Sequence, residues 1–358
     1  MKHTCTRTLM SLCTAALIAF AGFTPADAFE AKLTGQVNQM FMWADDGDRD
    51  DVFVADNANS STRFRFNASK AFGKVTAGVH LEFDAQRNSS SALKMDQNND
   101  GGFNWNDRWL NLFFDTEFGK FEIGKGSGAA DSTAEMDLSG TSVINYSGVA
   151  DTAGGFIWKN SDGSDFDGGA TVGQVRNNMD GISRNERVRY NTPKFGGFSM
   201  ATSFTNGEAW EVAGFYAADF AGNKVAAAVG YVDGNRRAGV AYKQLSGSVS
   251  WLMPFGLNLT GAYGLRDFDA AGRTDAENYY FKLGYKFDIH AMSVEYGWTE
   301  DLRGVQGEES SNWGVAYVVT PWKGVELYTS YRQYMLDAAT GSDPDDIRQV
   351  MVGSRIRF

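Results

Sequence analysis

Apolar and polar residues alternate with a period of two along much of the chain. In residues 278–287 every odd-numbered position is tyrosine, phenylalanine or leucine, and residues 257–265 and 312–319 repeat the pattern. Successive side chains of a β-strand point to opposite faces, so this alternation predicts strands that have one apolar face and one polar face. The chain is therefore predicted to be all-β.

The connections between these strands fall into two kinds. Short turns combine an aromatic residue with glycine, at residues 71–74, 117–120, 193–197, 254–256 and 321–324. Long polar loops alternate with them, at residues 44–61, 88–104, 267–276, 300–311 and 337–346. Strands of about ten residues with short turns at one end and long loops at the other are typical of membrane β-barrels.

The pattern predicts a transmembrane antiparallel β-barrel of 16 strands, from Ala31–Trp43 to Ile347–Phe358. An even number allows the first and last strands to pair antiparallel, which removes both free edges. The apolar set would face lipid, since a charge there near the midplane costs about 2–4 kcal/mol. The inward positions carry Arg63, Arg65, Arg266, Lys282, Arg332, Arg355 and Arg357. Alternation alone also allows a secreted β-sandwich adhesin with an apolar core.

The chain begins with the features of a secretory signal peptide. Basic Lys2 and Arg7 precede the mostly apolar stretch 9–23, and Ala26-Asp27-Ala28 gives a cleavage pattern. We predict that residues 1–28 are removed and that residues 29–358 form the barrel. Both cysteines, Cys5 and Cys13, lie in the removed part, which excludes disulfides and thiol chemistry from the mature chain.

Composition narrows the function further. The formal net charge of −11 argues against a nucleic-acid partner. No run of about 18 apolar residues follows Phe29, so no transmembrane helix is predicted. His80 and His290 are the histidines of the predicted mature chain, and neither belongs to a visible Ser/His/Asp grouping. We therefore predict a protein that is not an enzyme and that requires no cofactor.

Three segments resemble Gram-negative general diffusion porins: "STRFRFNASKAFGKVTAG", "RNERVRYNTPKFGGFSMATSF" and the final "RIRF". The resemblance covers the whole predicted mature chain. It implies a homotrimer in the outer membrane that passes small hydrophilic solutes and ions by passive diffusion. It also implies contact with lipid and lipopolysaccharide, and a terminal Phe358 that is read by the outer-membrane assembly machinery.

One connection is much longer than the others. Residues 126–184 separate the predicted fifth strand (Lys120–Gly126) from the sixth (Asn185–Thr192), and structureless loops longer than about 15 residues are uncommon. The resemblance implies that its first half folds into the barrel and narrows the channel. Its carboxylates would then face the water: Asp131, Glu135, Asp137 and Asp151. The alternative is an outer loop without this role.

A basic wall is predicted opposite this loop. Its candidates are Arg63, Arg65, Arg108, Arg187 and Arg189. Inward charges in a narrow passage focus the field and bias the passage of ions. The resemblance implies a lysine on the first strand, but the aligned residue is Gln36, so the sign of selectivity stays open. A substrate-selective channel is the alternative function, with Tyr280, Tyr328 and Tyr334 as a possible aromatic path for sugar or anion.

The segment "DQNNDGGFNWND" fits the opening of a calcium-binding loop. The candidate ligands are Asp96, Asn98, Asp100, Gly102 and Asp107, with Gly101 at the position that requires a sharp turn. The last ligand is aspartate rather than glutamate, which shortens its reach. A solvated loop without calcium is the alternative.

Overall fold

The computed structural model describes residues 29–95, 97, 102–206, 208–235, 241–339 and 341–358, so the predicted signal peptide lies outside it. Within these residues, 17 strand segments form one antiparallel sheet. The segments are β1 (Glu30–Asp45), β2 (Asp50–Asp56), β3 (Arg63–Phe72), β4 (Val75–Gln86), β5 (Asn104–Thr116), β6 (Gly119–Ser127), β7 (Arg184–Asn191), β8 (Phe198–Thr205), β9 (Trp210–Phe220), β10 (Asn223–Asn235), β11 (Tyr242–Leu252), β12 (Leu257–Phe268), β13 (Ala276–Phe287), β14 (His290–Glu300), β15 (Glu309–Trp322), β16 (Val325–Asp337) and β17 (Ile347–Arg357). In the described part of the chain, no helix has the length and apolar character needed to cross a membrane.

The sheet closes on itself through its first and last strands. β1 pairs antiparallel with β17, from Gln36 opposite Arg357 to Asp45 opposite Arg348. Beyond β17, the amide of Phe358 donates to the carbonyl of Gly35 at 3.0 Å, and the amide of Gly35 donates back at 2.9 Å. The predicted closed antiparallel barrel of 16 strands is therefore confirmed.

Seventeen segments make sixteen strands because the second strand is interrupted. β1 pairs with β2 through Gln39–Asp45 and with β3 through Glu30–Gln36. Between β2 and β3 the chain leaves the ladder and makes a 3₁₀ turn at Ala58–Ser60. The Gln36 amide donates to the carbonyls of Ser60 and Ser61 at 2.9 and 2.8 Å. Gln36, at the position where the resemblance implies a lysine, thus stabilises the interruption through these hydrogen bonds.

The two faces of the strands differ as predicted. Apolar side chains of the outer face are largely exposed, as at Leu33 (67%), Phe281 (53%) and Val352 (52%). The opposite, inner face is buried and includes Lys282 and Arg332. A β-sandwich would bury its apolar face instead, so this arrangement excludes the β-sandwich fold of the adhesin alternative.

A β-bulge in β5 explains why its apolar alternation is irregular. Glu82 of β4 pairs with Trp109, but the next pair joins Phe83 to Asp107, which leaves Arg108 as an extra residue. A bulge shifts the side-chain alternation by one position. Arg108 and Trp109 consequently line the same inner cavity, whereas the following apolar residues at positions 110, 112 and 114 are exposed outside.

An apolar cluster on the inner face was not predicted. Phe156 and Trp158 of the long connection are fully buried against Met42, Phe53 and Met351. The connection also contains 3₁₀ turns at Val149–Thr152 and Phe166–Gly168 and a short helix at Val172–Val175. The sequence carries a signal for this cluster, because residues 40–44 are apolar at both odd and even positions. Such a strand is covered by apolar groups on both faces.

Deletion of Phe358 is expected to reduce the yield of folded barrel. The deletion removes both backbone hydrogen bonds to Gly35 and the ring contact with Phe64, whose centroid lies 6.0 Å away. Each such hydrogen bond contributes about 0.5–1.5 kcal/mol. Folding into liposomes, followed by electrophoresis of unboiled samples, measures this yield. Phe358→Tyr keeps the ring and is the control; wild-type yield from the deletion variant would contradict a role for this residue in closure.

Candidate functional site

A polar cavity of about 750 Å³ lies between the inner face of β3–β5 and the long connection. The charged residues that line it are Arg63, Arg65, Glu82, Arg108, Asp131, Glu135, Asp151, Arg176, Asp180, Arg184 and Arg266. Three of the five predicted basic-wall residues and three of the four predicted acidic residues are among them. The cavity therefore brings together oppositely charged groups that are far apart in the sequence.

The basic side of the cavity is built on three neighbouring strands. Arg63 and Arg65 of β3 lie opposite Asp84 and Glu82 of β4 in the register. Arg65 donates to Glu82, and Arg108 donates to Glu82 at 2.5 Å and to Asp84 at 3.2 Å. Three guanidinium groups thus share two carboxylates, which leaves a positive excess. The Arg65 side chain is the open one, at 45% exposure.

Arg187 and Arg189 occupy a different position from the one predicted. Both surround Glu122 of β6, and neither is among the described residues that line the cavity. Arg187 donates to the carbonyl of Ser127 at 2.6 Å, and Arg189 donates to that of Gly128 at 2.7 Å. They hold the start of the long connection against the wall instead of facing the water.

The acidic side contains Asp131, Glu135 and Asp151, three of the candidate acidic residues, together with Asp180. The amides of Ser132 and Ala134 donate to Asp180 at 2.5 and 2.9 Å. These bonds tie the beginning of the long connection to its end. Asp180 was not predicted from the sequence because its proximity to Asp131 depends on how the ~50 residues between them fold, and periodicity does not reveal that path.

Burial changes the ionisation of this acidic cluster. Burial, and secondarily the charge of Asp131, raises the pKa of Asp180 to about 7. Burial, followed by the charges of Asp180, Asp131 and Asp151, raises the pKa of Glu135 well above its usual value. Burial also raises the pKa of Asp151. At neutral pH the cluster therefore carries fewer negative charges than its composition indicates.

Asp137 does not face this cavity, contrary to the prediction. Its carboxylate pairs with the ammonium of Lys282, and the two side chains are 5% and 0% exposed. Lys282 also donates to the carbonyl of Asn145 at 2.7 Å. The pair joins the long connection to the inner face of β13, because a buried lysine needs a partner for its charge.

The three tyrosines proposed for an aromatic solute path are buried, and their hydroxyls are engaged. Tyr280 donates to Glu295 at 2.7 Å, Tyr328 to the Asn38 side chain at 2.7 Å and Tyr334 to the carbonyl of Val149 at 2.8 Å. None of them is among the described residues that line the cavity. This finding corrects the prediction of an aromatic path, since these side chains form hydrogen bonds within the buried interior.

Two further sets of contacts join residues 128–183 to side chains of β11 and β16. The amides of Met136 and Leu138 donate to the hydroxyls of Ser248 and Ser250, both at 2.9 Å. Arg332 of β16, which is fully buried, pairs with Glu295 at 2.8 Å and donates to residues of the connection. The serines at alternate positions of β11 were a signal for such contacts that sequence reasoning missed.

The histidines and the predicted calcium loop form no metal site in the described residues. His80 lines the cavity beside the rings of Trp109 and Phe113, and His290 bonds to the hydroxyl of Tyr317 at 2.6 Å. Of the candidate calcium ligands, Asp96, Asn98 and Asp100 lie outside the described residues. Asp107 lies 3.0 Å from the Lys125 ammonium. Calcium binding stays a prediction.

Comparison with solved structures supports the barrel assignment. An anion-selective porin from Comamonas acidovorans is 16% identical, with 92% of this chain and 100% of that chain covered and a TM-score of 0.62. OmpT of Vibrio cholerae in its trimer form is 14% identical over 93% of this chain and 100% of that one, at 0.58. The channel DcaP of Acinetobacter baumannii is 12% identical over 94% and 99%, at 0.60. At these identities the likeness concerns the fold.

Sequence comparison identifies the family. No protein with a curated description matches the sequence. A sequence profile described as Gram-negative porin matches residues 13–339, which is most of the chain. Together with the closed 16-stranded barrel, this match shows that the chain belongs to the Gram-negative porin family.

Proposed function

We propose that the protein is an outer-membrane channel through which small hydrophilic solutes and ions diffuse passively. Residues 128–183 would lie within the barrel and narrow it to the polar cavity. The observation that carries this proposal is the cavity itself, in which Arg63, Arg65 and Arg108 face Asp131 and the acidic residues near it. A barrel of sixteen strands is too wide for wall side chains alone to fill, so the opening left by the connection sets the channel.

The opposed charges account for the preference for polar solutes. A field between a basic and an acidic wall orients water and polar molecules in the narrow passage. An apolar solute gains nothing from this field and must displace oriented water, which slows its passage. Movement follows the concentration gradient, and charge at the narrowest point biases the ions.

We further propose a modest preference for anions at neutral pH. Among the described residues, six arginines and five carboxylates line the cavity, and the raised pKa values of Glu135 and Asp180 favour the neutral form of these two carboxyl groups, which increases the positive excess. Reversal potentials of purified protein in planar bilayers, measured across a salt gradient, test both parts of the proposal. Stepwise conductance with an anion-selective potential is expected. Absence of conductance from correctly folded protein would refute the channel, and a cation-selective potential would refute the sign.

The anion preference is expected to weaken as the pH rises through about 7. A carboxyl group with a raised pKa is neutral below that pKa and negative above it, so ionisation of Asp180 adds negative charge to the cavity. Reversal potentials at pH 5.5, 7 and 8.5 measure the change. Asp180→Asn removes the titrating group and should flatten the profile, whereas Asp219→Asn, on the exposed end of β9, is the control. An equal pH profile in both variants would contradict this assignment.

We propose that the channel is a homotrimer, as the family resemblance implies and as the trimer form of OmpT suggests. Unboiled protein should migrate as a trimer in denaturing gels and shift to the monomer on heating. Cross-linking in native outer-membrane vesicles provides an independent check. A monomer in both assays would refute the homotrimer, but it would not contradict the proposed channel function.

A further inference from the structure

Arg266 of β12 lines the polar cavity without a carboxylate partner. The three cavity arginines of β3 and β5 differ in this respect, because each of them pairs with Glu82. Among the described residues, no carboxylate lies within ion-pairing distance of Arg266, and the charged side chain that acts on it is another arginine, Arg273. The positive charge of Arg266 is therefore available to the solutes in the cavity.

Neighbouring side chains hold the Arg266 guanidinium in a fixed orientation. Its Nε and Nη2 atoms both donate to the Oε1 atom of Gln244, at 2.9 and 2.7 Å. Its Cζ atom lies 5.0 Å from the centre of the Tyr242 ring, within the range of a cation–π contact. Both partners belong to β11, which pairs with β12, and Gln244 is itself buried. The guanidinium is thus positioned before a solute reaches it.

One edge of this guanidinium is open. Gln244 occupies the edge formed by Nε and Nη2. On the other edge, Nη2 reaches the Oδ1 atom of Asn177 only at 3.5 Å, and the described residues provide no partner for Nη1. Unlike the Nε atoms of Arg176 and Arg273, which are buried and unpaired, this Nη1 atom is not enclosed. An open edge of this kind can donate two parallel hydrogen bonds to one carboxylate or phosphate group.

The acidic cluster of the cavity does not occupy the open edge. Asp180 belongs to the segment beside Arg266, because the Gln244 side chain also donates to the carbonyl of Asp180 at 3.3 Å. The Asp180 carboxyl group is directed elsewhere, since it accepts from two backbone amides at the beginning of the long connection, at 2.5 and 2.9 Å. The open edge of Arg266 therefore has no carboxylate of the described residues against it.

Arg266 and Arg65 lie on nearly opposite sides of the barrel. Around the closed sheet, β12 is seven steps from β3 by way of β1, β17, β16, β15, β14 and β13, and nine steps by way of β4 to β11. Both side chains nevertheless line the same cavity. Arg65 is also the most open arginine of its own side, at 45% exposure. A solute in the cavity thus meets one accessible guanidinium on each side.

We infer that Arg266 is a second anion-binding point of the channel and that it favours small oxyanions, carboxylates or phosphate, over halides. The inference rests on the proposed channel function and names the solute class that this side of the cavity selects. Two oxygens of an oxyanion match the two parallel N–H groups of the open edge, whereas a halide offers a single acceptor atom. Oxyanions therefore bind at Arg266 during their passage.

The test measures the conductance of the folded protein in planar bilayers as the concentration of sodium acetate or sodium phosphate rises. The conductance should saturate in these salts at lower concentrations than in sodium chloride. Arg266→Lys keeps the charge but loses the pair of N–H groups, so the half-saturating concentration of the oxyanions should rise several-fold. Lys243→Gln removes an exposed charge of β11 that is not among the described cavity residues, and it should behave as the wild type.

The outcomes separate this inference from the channel function. Saturation in only one of the two salts would support the site and identify the oxyanion. Linear conductance of the wild type in both salts, or unchanged saturation in Arg266→Lys, would overturn the inference and leave the channel intact. Absence of conductance from correctly folded protein would refute the proposed function itself, and the inference with it.

Crystals of the wild-type protein grown in sodium selenate give a measurement that requires no variant. Selenate is an oxyanion whose selenium scatters anomalously, and a hydrogen bond of about 2.9 Å to its oxygens places the selenium within about 4 Å of the donor nitrogens. An anomalous peak at that distance from Nη1 of Arg266 is expected. Diffraction data without this peak would overturn the inference even if Arg266→Lys failed to fold.

Discussion

Replacing Arg332 with methionine should both destabilise the protein and increase its single-channel conductance. Arg332 pairs with Glu295 at 2.8 Å, and it donates to the hydroxyl of Thr152 at 2.7 Å and the carbonyl of Ile144 at 3.2 Å. The substitution leaves Glu295 buried without its cation, and removal of one member of a buried ion pair costs about 3–5 kcal/mol. The connection also loses an anchor, so it should move away from β16 and widen the opening.

The double variant Arg332→Met/Glu295→Met separates the two effects. It removes both charges, so part of the lost stability should return, because a buried ion pair and an apolar replacement are often similar in stability. The anchor to the connection is still missing, so the raised conductance should persist. Conductance steps in planar bilayers and unfolding midpoints provide the readouts. Wild-type conductance in both variants would show that Arg332 does not position residues 128–183.

Neutralising Arg63 and Arg65 together should shift the selectivity toward cations. Both line the cavity, and Arg65 is its most open basic group. Glu82 and Asp84 would then be left with Arg108 alone, and the local charge would change from positive to negative. One unit charge acting at 4 Å contributes about 1 kcal/mol in water and more in a narrow passage, so the permeability ratio should change several-fold.

The control for this double variant is the replacement of two lysines at short turns. Lys194 and Lys323 are exposed outside the cavity, and Lys194→Gln/Lys323→Gln removes the same total charge. Reversal potentials in a salt gradient compare the two. An equal shift in both variants would indicate a general charge effect, and an unchanged potential in Arg63→Gln/Arg65→Gln would place these arginines off the narrowest part of the path.

Local alternation sufficed to predict the barrel and the inward positions of Arg63 and Arg65. The period of two assigns faces reliably wherever a strand is regular. Alternation alone is ambiguous around Arg108, a predicted wall residue that does line the cavity, because the bulge there is defined by the pairing of β5 with β4 and not by β5 itself. The interruption between β2 and β3 was not predicted either, because it also depends on a contact with a neighbouring strand. It depends on Gln36 of β1 bonding to Ser60 and Ser61.

The candidate site was predictable only in part, because it combines wall residues with a long connection. Asp131 and Glu135 were expected at the water from composition and resemblance. Asp180 joins them through bonds to Ser132 and Ala134, which no local pattern indicates. Asp137 forms a buried ion pair with Lys282 and does not line the cavity, and the sequence does not distinguish it from the neighbouring acidic residues. The sequence thus shows which residues can carry a charge, whereas their ionisation state and their ion-pair partners depend on the tertiary structure.

The inner apolar cluster has a consequence for the order of assembly. Met40 and Met42 of β1 and Ile347 and Met351 of β17 flank the seam, and all four belong to the cluster that contains Phe156 and Trp158. Because these contacts join the connection to both strands of the seam, we expect the pairing of β1 with β17 and the packing of the connection to be coupled during assembly. A nascent chain whose connection is not yet packed would then keep β1 and β17 as unpaired edges, which are prone to associate with other strands.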